Sequence, residues 1–150
     1  MSWEPHQQYR LAMEKRILRE RMPDFLFFSP TSGTFVSGTF DSSHLNRYRI
    51  VVELPPGFPD ECPSCFIADP CPLLGHDDVC MTSFGNSHQM HTWLTDDRHP
   101  EWTRICTYKP ASWSASHSLE KVVQKAMLWL EAFEAHRVTG RPIADFLLNM

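Results

Sequence analysis

One cysteine, Cys106, lies at the centre of the stretch best able to do chemistry, residues 98–110 (RHPEWTRICTYKP). His99, Arg104 and Lys109 lie within a few residues of it. Cationic neighbours stabilise the thiolate, which is the nucleophilic form of cysteine. The alternative is a structural cysteine, because free cysteines are among the most often buried residues. The composition of this stretch favours a reactive thiol.

Two other groupings compete with a nucleophilic Cys106. The first is a set of possible zinc ligands, four of which would complete a structural site: Cys62, Cys65, Cys71, His76 and Cys80. Their spacing matches no common zinc finger, so we expect no metal and no other cofactor. The second is a cysteine protease, in which His91 or His99 would act as the base. No third residue that would orient this histidine stands out.

The composition excludes several classes of protein. A chain of 150 residues suits one domain, residues 1–150, with a proper core. Its net charge of −4 gives no general attraction to nucleic acid. No apolar run is long enough to span a membrane, and the N-terminal sequence MSWEPHQQYR lacks an apolar signal core. Five cysteines, an odd number, argue against a disulfide framework. We expect a cytoplasmic protein that binds neither nucleic acid nor membrane.

Helical periodicity predicts a first helix over residues 5–22, between Pro5 and Pro23. Its predicted apolar stripe consists of Tyr9, Ala12, Met13, Ile17 and Leu18. Basic side chains cover much of the remaining surface, so this helix is basic within an acidic protein. Such a surface is usually only solvated, but it could also dock an acidic partner.

A long helix is predicted after Pro110, with Ser116 or Ser118 as its N-cap and Gly140 just beyond its end. Its wide apolar stripe consists of Leu119, Val122, Val123, Ala126, Met127, Leu130 and Phe133. One short helical turn is expected within residues 141–150.

Between the helices, short aromatic and β-branched runs over residues 25–28, 34–40 and 48–54 predict strands. A proline-rich crossing leads to a fourth strand over residues 64–68. Residues 69–97 show little periodicity and are interpreted as a long, partly structured insertion. The predicted fold is α+β, with an N-terminal helix, a four-stranded antiparallel meander, a cysteine loop and a long C-terminal helix.

This order of elements resembles that of the ubiquitin-conjugating enzymes. Three strings carry the resemblance: FPDECPSCF over residues 58–66, His99-Pro100-Glu101 followed by Ile105-Cys106, and WSAS over residues 113–116. The string CTYKP at residues 106–110 and the run from WLEAF to TG at residues 129–140 are similar to the bacterial branch of the family. That branch is encoded in antiphage operons such as the CBASS systems.

The resemblance implies that Cys106 carries the C-terminus of another protein as a thioester and passes it to a lysine amine. It further implies a carried protein with an exposed C-terminal tail, such as a cGAS-like nucleotidyltransferase. An activating enzyme on a separate chain would load Cys106. This chain cannot activate the carried protein itself, because it has no phosphate-binding glycine loop for ATP. By family analogy this enzyme docks on the first helix, at Arg10, Lys15, Arg16 and Arg19. The alternative is a non-catalytic module of the same fold that binds ubiquitin-like domains or is stabilised by zinc.

The sequence departs from the family pattern at the motif before the cysteine. Glu101 stands where the family has the asparagine credited with supporting the oxyanion. The interval from His99 to Cys106 is short, so His91 is the other candidate for the family histidine. Oxyanion donors could be backbone N–H groups near Cys106, Asn86, or one of these histidines. Glu101 could take a proton from the incoming lysine, or be only a solvated loop acid.

Overall fold

The computed structural model describes residues 2–148 and has an α+β architecture. Helix α1 (Pro5–Arg21) precedes the sheet and helix α2 (Leu119–Thr139) follows it. The strands are β1 (Leu26–Phe28), β2 (Phe35–Asp41), β3 (Arg47–Glu53), β4 (Ser64–Asp69) and β5 (Thr103–Ile105). They pair in chain order, and every pair is antiparallel. The predicted meander is confirmed, but it has five strands where the sequence predicted four.

The additional strand, β5, is the one that leads to Cys106. It has only three residues and pairs with β4, with Ile105 opposite Cys65. Three residues are too few to show the alternation that identifies a strand in a sequence. This strand fixes the backbone immediately before Cys106 to the sheet.

One face of the sheet packs against α2 and forms the main core. Ile50 and Val52 of β3 and Ile67 of β4 point to this face because side chains alternate along a strand. The predicted apolar stripe of α2 is confirmed, except that Met127 is only partly buried. The largest residue of this interface, Trp129, is fully buried and stacks on Phe133, with ring centroids 5.5 Å apart.

Both ends of α2 are capped. The Ser118 hydroxyl accepts a hydrogen bond from the Lys121 backbone N–H at 3.2 Å, so the second of the two predicted N-caps is the correct one. Gly140 has φ 77°, the left-handed conformation that glycine adopts without steric cost, and its N–H donates to the His136 carbonyl. A short 3₁₀ turn follows at Ile143–Phe146, as predicted.

Helix α1 occupies the predicted range, but its predicted apolar stripe is correct only in part, because Leu18 is buried whereas Ala12 is exposed. The residues it buries are Gln7, Glu14 and Leu18, whereas Tyr9 is 81% and Met13 40% exposed. The Gln7 side chain donates to two backbone carbonyls of the proline-rich crossing. Hydrogen bonds remove the cost of burying such polar groups. Tyr9 and Met13 are therefore left on the surface.

Residues 69–97 pack on the fold more fully than an insertion would suggest. They contain two 3₁₀ turns, His76–Asp78 and Met81–Phe84. Met81 and Met90 are buried in the core, and the Trp129 indole N–H donates to the Met90 carbonyl at 3.0 Å. The segment is thereby fixed to α2. No helix within residues 2–148 is both long and apolar enough to cross a bilayer.

Candidate active site around Cys106

Cys106 directly follows β5 and is held by a short antiparallel pairing with residues 91–93. The Cys106 N–H donates to the His91 carbonyl at 2.8 Å, and the Trp93 N–H donates to the Arg104 carbonyl at 2.9 Å. Thr92 and Ile105 form a β-bridge between these two hydrogen bonds. The pairing brings His91 beside the cysteine, although fourteen residues separate them in the sequence.

A cavity of about 370 Å³ opens beside Cys106. It is lined by Asn86, Ser87, His88, His91, Thr92, Trp93, Cys106 and Lys109. A second cavity of about 320 Å³ shares Asn86 and Trp93 with the first and includes Ile105 and Thr107, the two neighbours of Cys106 in the chain. Cys106 itself is 9% exposed. The thiol is therefore recessed in the first cavity, and the second cavity begins at its two neighbours in the chain.

The surroundings of Cys106 act on its ionisation in opposite directions. Burial raises the pKa of the thiol, whereas the nearby ammonium groups of Lys109 and Lys125 lower it, and burial prevails. Arg104 was expected to lower the pKa of Cys106, but it acts on Cys62 instead. Arg104 lowers the pKa of the Cys62 thiol, and burial raises that pKa by more. Cys106 is therefore mainly a thiol at neutral pH, contrary to the expectation of a stabilised thiolate.

Lys109 is expected to govern how fast the Cys106 thiol reacts. Replacing Lys109 by glutamine removes a cation that lowers the pKa of Cys106, so alkylation by iodoacetamide at pH 8 should slow by about twofold to fivefold. Rates measured from pH 7 to 10, in a chain with Cys62, Cys71 and Cys80 replaced by serine, would test this. Lys15→Gln on α1 is the matched control and should leave the rate unchanged. A profile that moves to lower pH in Lys109→Gln would contradict the assignment.

His91 lies in the Cys106 cavity in an unusual conformation. Its φ is 50°, in the left-handed region that residues other than glycine rarely adopt. The residue is 7% exposed, and its ring stacks on that of His88, with centroids 5.4 Å apart. Burial, followed by the charges of His88 and Lys109, lowers the pKa of His91. Its imidazole is therefore neutral at physiological pH.

The other two predicted catalytic residues lie away from this cavity. The His99 ring stacks on Trp102 at 3.7 Å, and its Nε2 is 3.5 Å from a Glu53 carboxylate oxygen. Glu101 is exposed, and its carboxylate accepts from the Cys71 thiol at 3.6 Å. Neither residue lines the cavity. Of the four predicted catalytic residues, the structure brings together only Cys106 and His91.

Two further residues lie near the cysteine: Lys125, which was not predicted from the sequence, and Asn86, which was predicted among the possible oxyanion donors. Lys125 of α2 reaches over the Tyr108 ring, with its Nζ 3.9 Å from the ring centroid. No local pattern connects it with Cys106, because the packing of α2 brings it there. The Asn86 side chain accepts from the Leu94 N–H at 2.8 Å and lines both cavities.

The possible zinc ligands do not assemble. Within residues 2–148, the only group of three potential ligands within reach of one ion is His44, Glu131 and Glu134. Hydrogen bonds from the β2–β3 turn already occupy these two carboxylates. The zinc-stabilised module therefore has no set of cysteines to support it.

The four predicted partner-binding residues of α1 differ in their environments. Arg10 is largely buried and donates to the carbonyls of Ala115 and His117, the second at 2.6 Å. It therefore connects α1 to the start of α2 and is not available for docking. Lys15, Arg16 and Arg19 are exposed.

Comparisons of this chain with protein-family models, curated proteins and solved structures found no match.

Proposed function

We propose that this protein is a ubiquitin-conjugating-like enzyme that carries an acyl group as a thioester on Cys106. The observation that supports this most is the recessed Cys106 directly after β5, which lines one cavity while its two chain neighbours line an adjoining one. A carrier thiol has to be reachable by two partners in turn but needs no permanently ionised sulfur. The order of helix, antiparallel sheet, cysteine loop and long helix agrees with the motifs that resemble this family.

Loading is an exchange between two thioesters. The Cys106 sulfur attacks the carbonyl carbon of an incoming thioester, its proton leaves with the donor thiol, and the bond from the carbonyl carbon to the donor sulfur breaks. Negative charge develops on the carbonyl oxygen, and hydrogen-bond donors must be ready to receive it. Asn86 suits this role, because the Leu94 N–H already occupies its carbonyl oxygen. Its amide N–H groups are left to donate.

Helix α1 is the proposed docking surface for the activating enzyme. Tyr9, Met13 and Arg16 follow one another at helical spacing and are all exposed. Lys15 and Arg19 add positive charge to the same helix. An exposed tyrosine and methionine surrounded by basic side chains would suit an acidic partner with an apolar centre. Arg10 is excluded from this surface by its internal hydrogen bonds.

The carried protein and the acceptor are proposed by analogy with the bacterial branch of the family. The carried protein would be one with an exposed C-terminal tail, such as a cGAS-like nucleotidyltransferase, and the final acceptor a lysine amine. A cytoplasmic role in antiphage defence is part of the same proposal.

A short peptide thioester tests the carrier function without a natural partner. We expect a glycine-ending peptide aryl thioester to acylate Cys106, giving one mass increment that hydroxylamine and thiols remove. Cys106→Ala should abolish this increment, whereas Cys71→Ser should retain it, although Cys71 is the more exposed thiol. Peptide mapping by mass spectrometry identifies the acylated residue. Acylation confined to Cys71, or none at all, would contradict the proposal.

A further inference from the structure

In the part of the chain that the structure describes, the His91 ring has no hydrogen-bond partner and lies in the Cys106 cavity, where it could act as a base. Within residues 2–148 its ring makes no hydrogen bond, its one ring contact being the stack with His88. The residue is nevertheless only 7% exposed, and it lines the same cavity as Cys106. The buried side-chain polar atoms without a partner among the described residues are Thr103 Oγ1 and Arg104 Nε, so the His91 ring nitrogens are accessible from the cavity. Its two ring nitrogens are left to interact with whatever enters the cavity.

The backbone at His91 keeps this ring in place at a conformational cost. A residue other than glycine adopts the left-handed conformation at a steric cost, and such residues cluster at functional sites. Here the φ of 50° is maintained by two hydrogen bonds of the His91 backbone, from its N–H to the His88 carbonyl and from the Cys106 N–H to its own carbonyl. The same bonds fix the position of the cysteine.

The charges around the thiol leave only the two cavity histidines, His88 and His91, as proton acceptors, and His91 is the one whose backbone is hydrogen-bonded to that of the cysteine. Among the described residues that line the two cavities, Lys109 and Arg104 are cationic and none is a carboxylate. Lys125 adds a third positive charge near the sulfur. An ammonium group that enters such a site loses its proton more readily, because neighbouring cations disfavour its charged form. No acidic side chain is present to receive that proton.

We propose that His91 is a catalytic residue that accepts the proton released when an amine attacks the Cys106 thioester. This inference rests on the proposed carrier function and assigns the step that follows loading. It also defines the acceptor as a primary amine that enters a cationic cavity containing no carboxylate.

The step balances within the site. The amine nitrogen forms a bond to the thioester carbonyl carbon, the bond from that carbon to the Cys106 sulfur breaks, and one proton passes from the nitrogen to the His91 ring. Burial raises the pKa of the Cys106 thiol and lowers that of His91. The imidazolium therefore returns its proton to the departing sulfur, which restores a neutral thiol and a neutral imidazole. A thiol with a raised pKa is a poor leaving group without this proton.

Protein that has been acylated chemically on Cys106 allows the discharge step to be measured separately from the loading step. The parent chain carries serine at Cys62, Cys71 and Cys80 and is acylated on Cys106 with the glycine-ending peptide thioester. Discharge to trifluoroethylamine, a weakly basic primary amine, is followed by intact mass from about pH 5 to 8, and each rate is divided by the concentration of unprotonated amine because the amine itself titrates in this range. We expect the rate to fall at low pH, as His91 becomes protonated. The groups that face this ring and contribute to the profile are His88, Lys109 and the thioester on Cys106.

His91→Asn is the informative variant, because asparagine tolerates the left-handed backbone and preserves the carbonyl that holds the Cys106 N–H. We expect loading to persist, discharge to slow by about a hundredfold, and the inflection at low pH to disappear. The matched control is His44→Asn, which changes an exposed histidine of the β2–β3 turn that lines neither cavity and should alter the rate by less than about threefold.

An unchanged rate and profile in loaded His91→Asn would overturn this inference and leave the carrier function intact. Failure of the parent chain to load would overturn the carrier function, and this inference with it.

Discussion

Replacing Glu14 by alanine is expected to lower the free energy of unfolding by about 3–5 kcal/mol. The Glu14 side chain is fully buried, lies 3.3 Å from the Arg10 guanidinium and accepts from the Leu119 backbone N–H at 3.0 Å. Leu119 is the first residue of α2, where N–H groups lack partners within the helix and favour negative charge. Alanine would leave both the N–H and Arg10 without this partner.

Urea unfolding followed by tryptophan fluorescence measures the effect. Glu14→Gln retains the volume and one oxygen acceptor but not the charge, so a smaller loss of about 1–3 kcal/mol is expected. Glu20→Ala is the matched control, because Glu20 is exposed on the same helix, and should change stability by less than about 0.5 kcal/mol. Equal effects of Glu14→Ala and Glu20→Ala would show that the carboxylate does not join the two helices.

Glu14 also shows why the packing of α1 was predicted wrongly. Periodicity assumes that the apolar side of a helix faces the core, and Tyr9 and Met13 fitted that assumption. The structure instead buries Gln7 and Glu14, because each finds backbone partners elsewhere in the chain. Such partners are distant in sequence, so no local pattern indicates them. The range of the helix was predictable, since Pro5 and Pro23 limit it directly.

Some strands were likewise predictable from local sequence, and one was not. β2 and β3 were predicted within one residue at each end, because each is seven residues long and rich in aromatic and β-branched residues. β5 was missed because it consists of three residues and exists through its pairing with Cys65 to Ile67. Its existence nevertheless determines where Cys106 lies.

For the candidate site, the sequence identified Cys106 from its cationic neighbours but could not choose between two histidines. His99 is the nearer in the chain, yet it stacks on Trp102 and does not line the cavity. His91 reaches Cys106 through the pairing of residues 91–93 with residues 104–106. The choice therefore depends on long-range backbone hydrogen bonds. Lys125 comes to the site in a similar way, through the packing of α2.

The second large effect is the complete loss of a thioester adduct when Cys106 is replaced by alanine in cells. If Cys106 holds an acyl group, the tagged protein purified under non-reducing conditions from cells with its natural partners should carry an adduct that thiols release. Cys106→Ser replaces the sulfur by oxygen, and an oxygen ester resists thiols but hydrolyses in dilute alkali. Cys106→Ala removes the attachment atom and should abolish the adduct completely.

Mass spectrometric mapping of that adduct is the most direct test of the thioester on Cys106. We predict a protein C-terminus attached to residue 106, released by thiols from the cysteine form and retained by the Cys106→Ser form. An adduct that persists in Cys106→Ala, or that maps to another cysteine, would contradict the account.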